Sequence, residues 1–284
     1  MRLQRDQLTM RRYLLSALIL IMATACGTPV DRESVRPPPP KTSPLDGIPD
    51  GVVGASITRG LALLEATADS LPDHVGNDLR CTSCHLDRGT RPNSTPWTGV
   101  YARFPQYNAR AARVFRLEER INGCFERSMN GSGLPLDDPA MIDMVNYFSW
   151  ISRGIAVGDT VPGQGLPKPP MATGDTVRGA EIWAQQCARC HGADGEGTPI
   201  APPTWGDRSF NIGAGMARIR TAAGFIKANM PFDMPGSLSD ADALDVAQYM
   251  ISRPRPDFAR KADDWPNGDP PVDVAYPTRA GRRE

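Results

Sequence analysis

Two five-residue stretches constrain this chain more than anything else in it: CTSCH at 81–85 and CARCH at 187–191. Each sets a second thiol two residues beyond the first and puts a histidine directly after it. That spacing suits covalent attachment of haem c, whose vinyl groups take up the two thiols while the histidine ligates the iron from one face. A redox C-x-x-C pair is the competing reading for one such motif. Two copies, both followed by histidine, favour haem at both. Cys81 with Cys84, and Cys187 with Cys190, are then the attachment points, and His85 and His191 are one axial ligand each.

The N-terminal region sets the compartment. Arg11 and Arg12 precede an apolar run from Tyr13 to Ala25 that is too short to span a bilayer comfortably, which marks an export signal. The run ends in Ala-Thr-Ala-Cys, like a lipoprotein cleavage site, so Cys26 is expected to become an acylated N-terminus that anchors the protein to a membrane. Ordinary cleavage after Ala25 is the alternative, and Met10 is an alternative start. Either way the expected location is the periplasm, where a thiol does not stay reduced without a reason. Lys plus Arg and Asp plus Glu are 32 each, so the net charge is zero and nothing favours nucleic acid as a partner.

Composition divides the rest. Residues 1–26 are the signal segment, and 27–45, with four successive prolines, are an extended tether. Residues 46–156 form a first haem domain, 157–175 a Pro/Gly linker, 176–256 a second haem domain, and 257–284 a tail expected to lie across the surface. The two haem domains repeat. Arg59-Gly60 opens LALLEATADSL and Arg178-Gly179 opens AEIWAQQ, both apolar at helical spacing and both leading to a haem motif. Downstream, Leu136, Asp138, Asp143 and Tyr147 fall on Leu238, Asp240, Asp245 and Tyr249. Ser239 and Asp242 read as a capping box. Each half is thus helix, haem motif, loop, ligand region, closing helix, which looks like the small all-α cytochrome c fold in tandem. In that fold the first and last helices cross, packing Gly179 and Trp183 near Tyr249, with negligible sheet.

Counting histidines restricts the second axial ligands. The only other histidine is His74, read as a surface residue, so two bis-histidine haems are impossible. In the second half, FIKANMPFDMPGS offers Met230 after a helical segment and before a proline, with Met234 as the alternative and Lys227 a remote one. A thioether is a good ligand to haem iron; the plainer reading is that both methionines only wall the pocket. In the first half, RINGCFERSMNG (120–131) holds Cys124, which follows His85 by the same thirty-nine residues that separate Met230 from His191. That match makes Cys124 a candidate iron ligand. A buried inert thiol, or a disulfide to an unlipidated Cys26, are the competing readings.

Arg110, Arg113, Arg116, Arg120 and Arg127 crowd around that cysteine. Steps of three and four along 113, 116, 120, 124 and 127 set four arginines on the cysteine face of a helix, with Asn122-Gly123 expected to break it. A solvated basic helix paired with Glu118, Glu119 and Glu126 is the bland reading. Guanidinium forks nonetheless suit oxyanions and favour a neighbouring thiolate.

These residues resemble the tetrathionate-forming thiosulfate dehydrogenases, a family of dihaem cytochromes c. The resemblance covers most of the mature chain: LPDHVGNDLRCTSCHLDRGTRP, FPQYNAR, RINGCFERSMNG, FIKANMP and DWPNGDPPVDVAYP. RINGCFERSMNG is its specific part, since ordinary cytochromes c lack it. It implies two covalently bound haem c groups, with Cys124 as thiolate ligand of the active-site haem and Met230 as ligand of the second. It implies that Arg110, Arg120 and Ser128 hold the substrate oxyanion, that thiosulfate and tetrathionate are substrate and product, and that a soluble cytochrome or similar redox protein takes the electrons. Some members carry lysine before the methionine and exchange ligands there; Asn229 departs from that pattern. The lipid anchor at Cys26 is not implied by the family. A passive dihaem electron carrier, or a cytochrome subunit of a larger dehydrogenase, is the alternative function, and a tetrathionate reductase the same chemistry reversed.

Overall fold

Each half of the chain is closed by a pair of crossing helices whose contact residues recur. In the computed structural model, residues 44–170 and 172–281 are described. The signal segment, Cys26 and the tether up to residue 43 lie outside them. The principal helices are α1 (Val52–Glu65), α2 (Leu117–Arg127), α3 (Pro139–Ile151), α4 (Thr176–Ile182), α5 (Ile219–Asn229) and α6 (Asp240–Ile251). On α1, Ile57, Leu61 and Leu64 repeat at helical spacing and are buried. They face Met141, Met144, Tyr147 and Phe148 of α3.

Gly60 lets α1 and α3 touch backbone to backbone, since a Cβ there would sit 2.0 Å from the Asp143 carbonyl oxygen. The crossing is tied by Arg59, which donates to both Asp143 oxygens at 2.7 and 3.0 Å. The second half repeats this: a Cβ at Gly179 would lie 2.1 Å from the Asp245 carbonyl, and Arg178 donates to Asp245 at 3.2 Å. Trp183 lies 6.2 Å from Tyr249, as the repeat in the sequence predicts. Ser239 caps α6 reciprocally with Asp242, as predicted too.

A further repeat was not visible in the sequence. Trp97 meets Tyr147 edge-on at 6.2 Å and Trp205 meets Tyr249 edge-on at 5.7 Å. Each tryptophan packs on a glycine shortly after the haem motif, Gly89 or Gly195.

Two local expectations change. Arg113 is not helical: Gln106–Asn108 (β1) pairs antiparallel with Arg113–Phe115 (β2), in a small hairpin. Asn122-Gly123 does not break α2, which runs on to Arg127. Asn122 turns its amide outward, donating to the Leu134 carbonyl at 2.8 Å and accepting from the Leu134 amide at 2.9 Å. It therefore does not compete for the backbone of its own helix. Leu117, Ile121 and Phe125 bury the opposite face of α2, which offsets the weak propensity of Gly123.

The tail does more than cross the surface. Phe258, Asp264, Trp265 and Tyr276 are all buried, so residues 257–281 cross the surface while setting these four side chains into the packed body. The linker is packed as well: Asn93 and Thr95 donate their amides to Gly163 and Gly165 at 2.7 and 3.1 Å, and Arg220 donates to Pro169 at 3.0 Å.

Candidate active site

The haem motifs have the local geometry that an axial histidine needs. His85 Nδ1 lies 2.6 Å from the Thr95 carbonyl and His191 Nδ1 lies 2.8 Å from the Pro202 carbonyl. Each ring therefore donates through Nδ1 and leaves Nε2 for a metal. Burial pushes the His85 imidazole down to about 4 and lowers that of His191, so both rings are neutral, the ligating form. Cys81, Cys84, Cys187 and Cys190 form no disulfide. A cavity of about 1180 Å³ runs from Thr67, Leu79 and, in the first motif, Cys84 to Cys187, Cys190 and His191 of the second. Its apolar wall includes Leu86, Phe225, Ile226, Val246 and Met250. Space, thiols and histidines together fit haem c.

Of the candidates beyond the second motif, Met230 lines that cavity and Met234, 52% exposed, does not. Met230 follows the last residue of α5, which aims its chain end into the cavity. Lys227 is engaged elsewhere, with the Leu238 carbonyl and, at 3.7 Å, Asp240. His74 meets the Ser132 carbonyl at 3.1 Å and the edge of Phe125, away from either motif.

Cys124 faces the first motif. Cys81 and Cys84 are pushed up to about 12 chiefly by burial, and the Cys124 sulfur adds to both shifts, which it can do only from nearby. Arg120, one helical turn back on α2, donates Nη1 to Cys124 Sγ at 2.9 Å. The sulfur in turn raises the Arg120 pKa, outweighing burial. The pair is a charge-assisted bond from a guanidinium to a sulfur.

A second cavity, about 680 Å³, collects Arg110, Arg120, Cys124 and Ser128 on one wall system. The four residues singled out in the sequence thus meet in space. Ser128 caps α2, its amide bonded to the Cys124 carbonyl at 2.8 Å. Arg110 sits in the turn of the β1–β2 hairpin, donates to the Gly213 carbonyl at 2.6 Å, and lies 4.6 Å over the Trp265 ring. Burial, with Arg127 close by, lowers its pKa to about 10; it is charged at neutral pH. Arg116 is not a lining residue; it caps α2 through Glu119 at 2.8 Å. Arg113 lines the cavity but is paired with Glu119 at 2.6 Å.

Sequence reasoning missed what holds these arginines. Arg127 makes a forked bond to Asp264 at 2.9 and 2.7 Å, Tyr276 donates to the same carboxylate at 2.6 Å, and the Trp265 amide bonds to the Arg110 carbonyl at 2.8 Å. All three tail residues lie in DWPNGDPPVDVAYP, whose local pattern does not mark them as partners of the arginines. Arg218, from the second half, also lines the cavity, and nothing in the local sequence marked it.

Fold and site together define a two-domain c-type cytochrome that binds haem c, with an arginine-lined, cysteine-bearing cavity. The SoxA/TsdA cytochrome c domain model matches residues 74–157, and the model of cytochrome c oxidase, cbb3-type, subunit III matches residues 174–250. The chain is 50% identical over 228 residues to the thiosulfate dehydrogenase of Allochromatium vinosum, covering 76% of this chain and 84% of that one. It is 44% identical over 261 residues to that of Psychrobacter arcticus, covering 89% and 78%. Among solved structures it resembles thiosulfate dehydrogenase TsdBA from Marichromatium purpuratum in its as-isolated form, with a TM-score of 0.73 and 37% identity. That match takes in 80% of this chain and 51% of the other, so this chain spans about half its length. The chain belongs to the thiosulfate dehydrogenase family, and it is an oxidoreductase.

Proposed function

We propose that this protein joins two thiosulfate dianions into tetrathionate and passes the two electrons to an external redox protein. The observation that carries this is the Arg120–Cys124 bond of 2.9 Å inside a cavity also lined by Arg110 and Ser128. Six arginines against four carboxylates line that cavity, a positive surplus suited to bringing two dianions together.

Cys81, Cys84, His85 and Cys124 would hold one haem c, and Cys187, Cys190, His191 and Met230 would hold the other. When bound, the two haems would supply one-electron acceptors. Arg110, Arg120 and Ser128 bind sulfonate oxygens and place the outer sulfur of the first thiosulfate at Cys124. The Cys124 thiolate forms a sulfur–sulfur bond to that outer sulfur as two electrons leave for the external redox protein, giving Cys–S–S–SO3⁻. The second thiosulfate attacks the bound outer sulfur. The cysteine–sulfur bond breaks, tetrathionate departs, and the cysteine is a thiolate again. Read backwards, the same steps are tetrathionate reduction. The protein works in the periplasm, tethered through a lipid on Cys26, with a soluble cytochrome or similar protein as partner. Domain limits follow the composition: 46–156 for the domain of the active-site haem and 176–256 for that of the electron-exit haem, with 157–175 as linker.

The test is steady-state oxidation of thiosulfate by the purified holoprotein with an artificial one-electron acceptor. Cys124→Gly should retain both haems and the fold, lose the low-spin thiolate EPR signal, and lose nearly all turnover. A wild-type protein without thiosulfate turnover would return the chain to the class of passive dihaem carriers.

A further inference from the structure

Tetrathionate has a sulfonate at each end, so a site that makes it needs two anion-binding places. The residues already assigned cluster around Cys124 and account for one end. The six arginines lining the cavity are Arg110, Arg113, Arg120, Arg127, Arg218 and Arg260. Five of them are engaged: Arg110 with the Gly213 carbonyl, Arg113 with Glu119, Arg120 with Cys124, Arg127 with Asp264, and Arg260 with Glu126. Arg218 is the exception. Among the described residues its guanidinium has no ion-pair or hydrogen-bond partner, and its Nε is buried and unsatisfied. A buried donor left unpaired costs stability, and a charged one costs more, so a structure that keeps it has a use for it. It lies close enough to Arg110 to help lower that residue's pKa by repulsion.

We propose that Arg218 is the anchor for the outer sulfonate: that of the second, attacking thiosulfate, and equally of the far end of tetrathionate. This rests on the reading of the cavity as a thiosulfate site and deepens it. Arg218 lies in the second haem domain, just before α5, whereas Cys124, Arg120 and Ser128 come from the first. The substrate site is therefore completed across the two domains. The buried Nε–H is the donor that an incoming sulfonate oxygen satisfies. The positive charge of Arg218 lowers the repulsion the second dianion meets as it approaches the first. The inner subsite can be filled without Arg218; the outer one cannot.

The experiment compares Arg218→Gln and Arg218→Lys holoenzymes with wild type. Thiosulfate oxidation is measured with a one-electron acceptor, and tetrathionate binding to the oxidised enzyme by titration calorimetry. Because Arg218 makes no bond to the rest of the protein that the fold would lose, both variants should fold with two haems. Losing one charge-assisted contact should cost about tenfold or more, as a higher KM for thiosulfate and a weaker tetrathionate Kd in Arg218→Gln. Arg218→Lys, which keeps the charge, should recover much of this. The cysteine adduct, followed by intact mass after one equivalent of thiosulfate, should still form in Arg218→Gln. KM and Kd within about twofold of wild type in Arg218→Gln would overturn the proposal. So would equal losses in both variants, which would assign a role to side-chain shape and not charge. A wild type that neither turns over thiosulfate nor binds tetrathionate sinks the underlying reading; an active wild type with an indifferent Arg218→Gln sinks this one alone.

Discussion

Met230 and Met234 stand four residues apart, each followed by proline, and their surroundings separate them. Met230 lines the cavity that holds His191, while the Met234 side chain is turned to solvent. A thioether can ligate only from inside the cavity. Met230→Leu should abolish the weak near-infrared sulfur-to-iron band of the oxidised protein and lower the potential of that haem; Met234→Leu should leave both alone. The opposite pattern in the near-infrared spectrum would show that the exposed methionine swings in to bind. The same reasoning sorts the arginines. Arg116 and Arg120 are four residues apart, but one caps a helix and the other meets a sulfur.

At the scale of elements, the two helix crossings explain why glycine follows arginine at 59–60 and again at 178–179. Gly60 and Gly179 bring α1 onto α3 and α4 onto α6, so that a methyl group at either would intrude on a backbone carbonyl. The arginine beside each glycine then reaches the aspartate whose carbonyl makes the contact. Alanine is intrinsically a better helix former than glycine by about 1 kcal/mol. Here the carbonyl is held within its own helix and cannot move aside. Gly60→Ala and Gly179→Ala should each destabilise by roughly 1–3 kcal/mol, read from denaturant melts, despite the propensity gain. Stabilisation by either substitution would show that the helices can slide apart at no cost. Tyr147 and Tyr249 lean on Trp97 and Trp205 at these same crossings, so one packing solution serves both domains.

The whole molecule is decided by a segment that composition made look peripheral. Asp264, 4% exposed, takes the fork of Arg127, the hydroxyl of Tyr276 and, at 4.0 Å, Arg110. The tail after the second domain thereby fixes the charge on the wall of a cavity in the first. Asp264→Asn keeps the side-chain shape but strands the Arg127 charge, so it should cost about 3–5 kcal/mol of stability. It should also raise the KM for thiosulfate as Arg110 loses its support. A thermal midpoint and a KM both unchanged would mean that the tail merely covers the site. What the sequence determined by itself is whatever chemistry and periodicity write into neighbouring residues. The two haem motifs, the Met230-Pro231 candidate, the duplicated helices and the Ser239 cap each lie within one turn or one short run, where spacing is contact. RINGCFERSMNG likewise showed Cys124 among arginines, and α2 does bring Arg120 to it. Spacing fails where the chain leaves a helix: helical steps set Arg113 on the cysteine face, yet it lies in β2, because the hairpin ends before α2 begins. The assembled cavity was settled by tertiary structure alone. Arg110 comes from a hairpin turn, Arg127 from α2, Arg218 from the approach to α5 and Asp264 from the tail. Pairing between residues so far apart leaves no periodic trace, because it is the packing of the two domains, and not the local chain, that brings their charges within reach of one another.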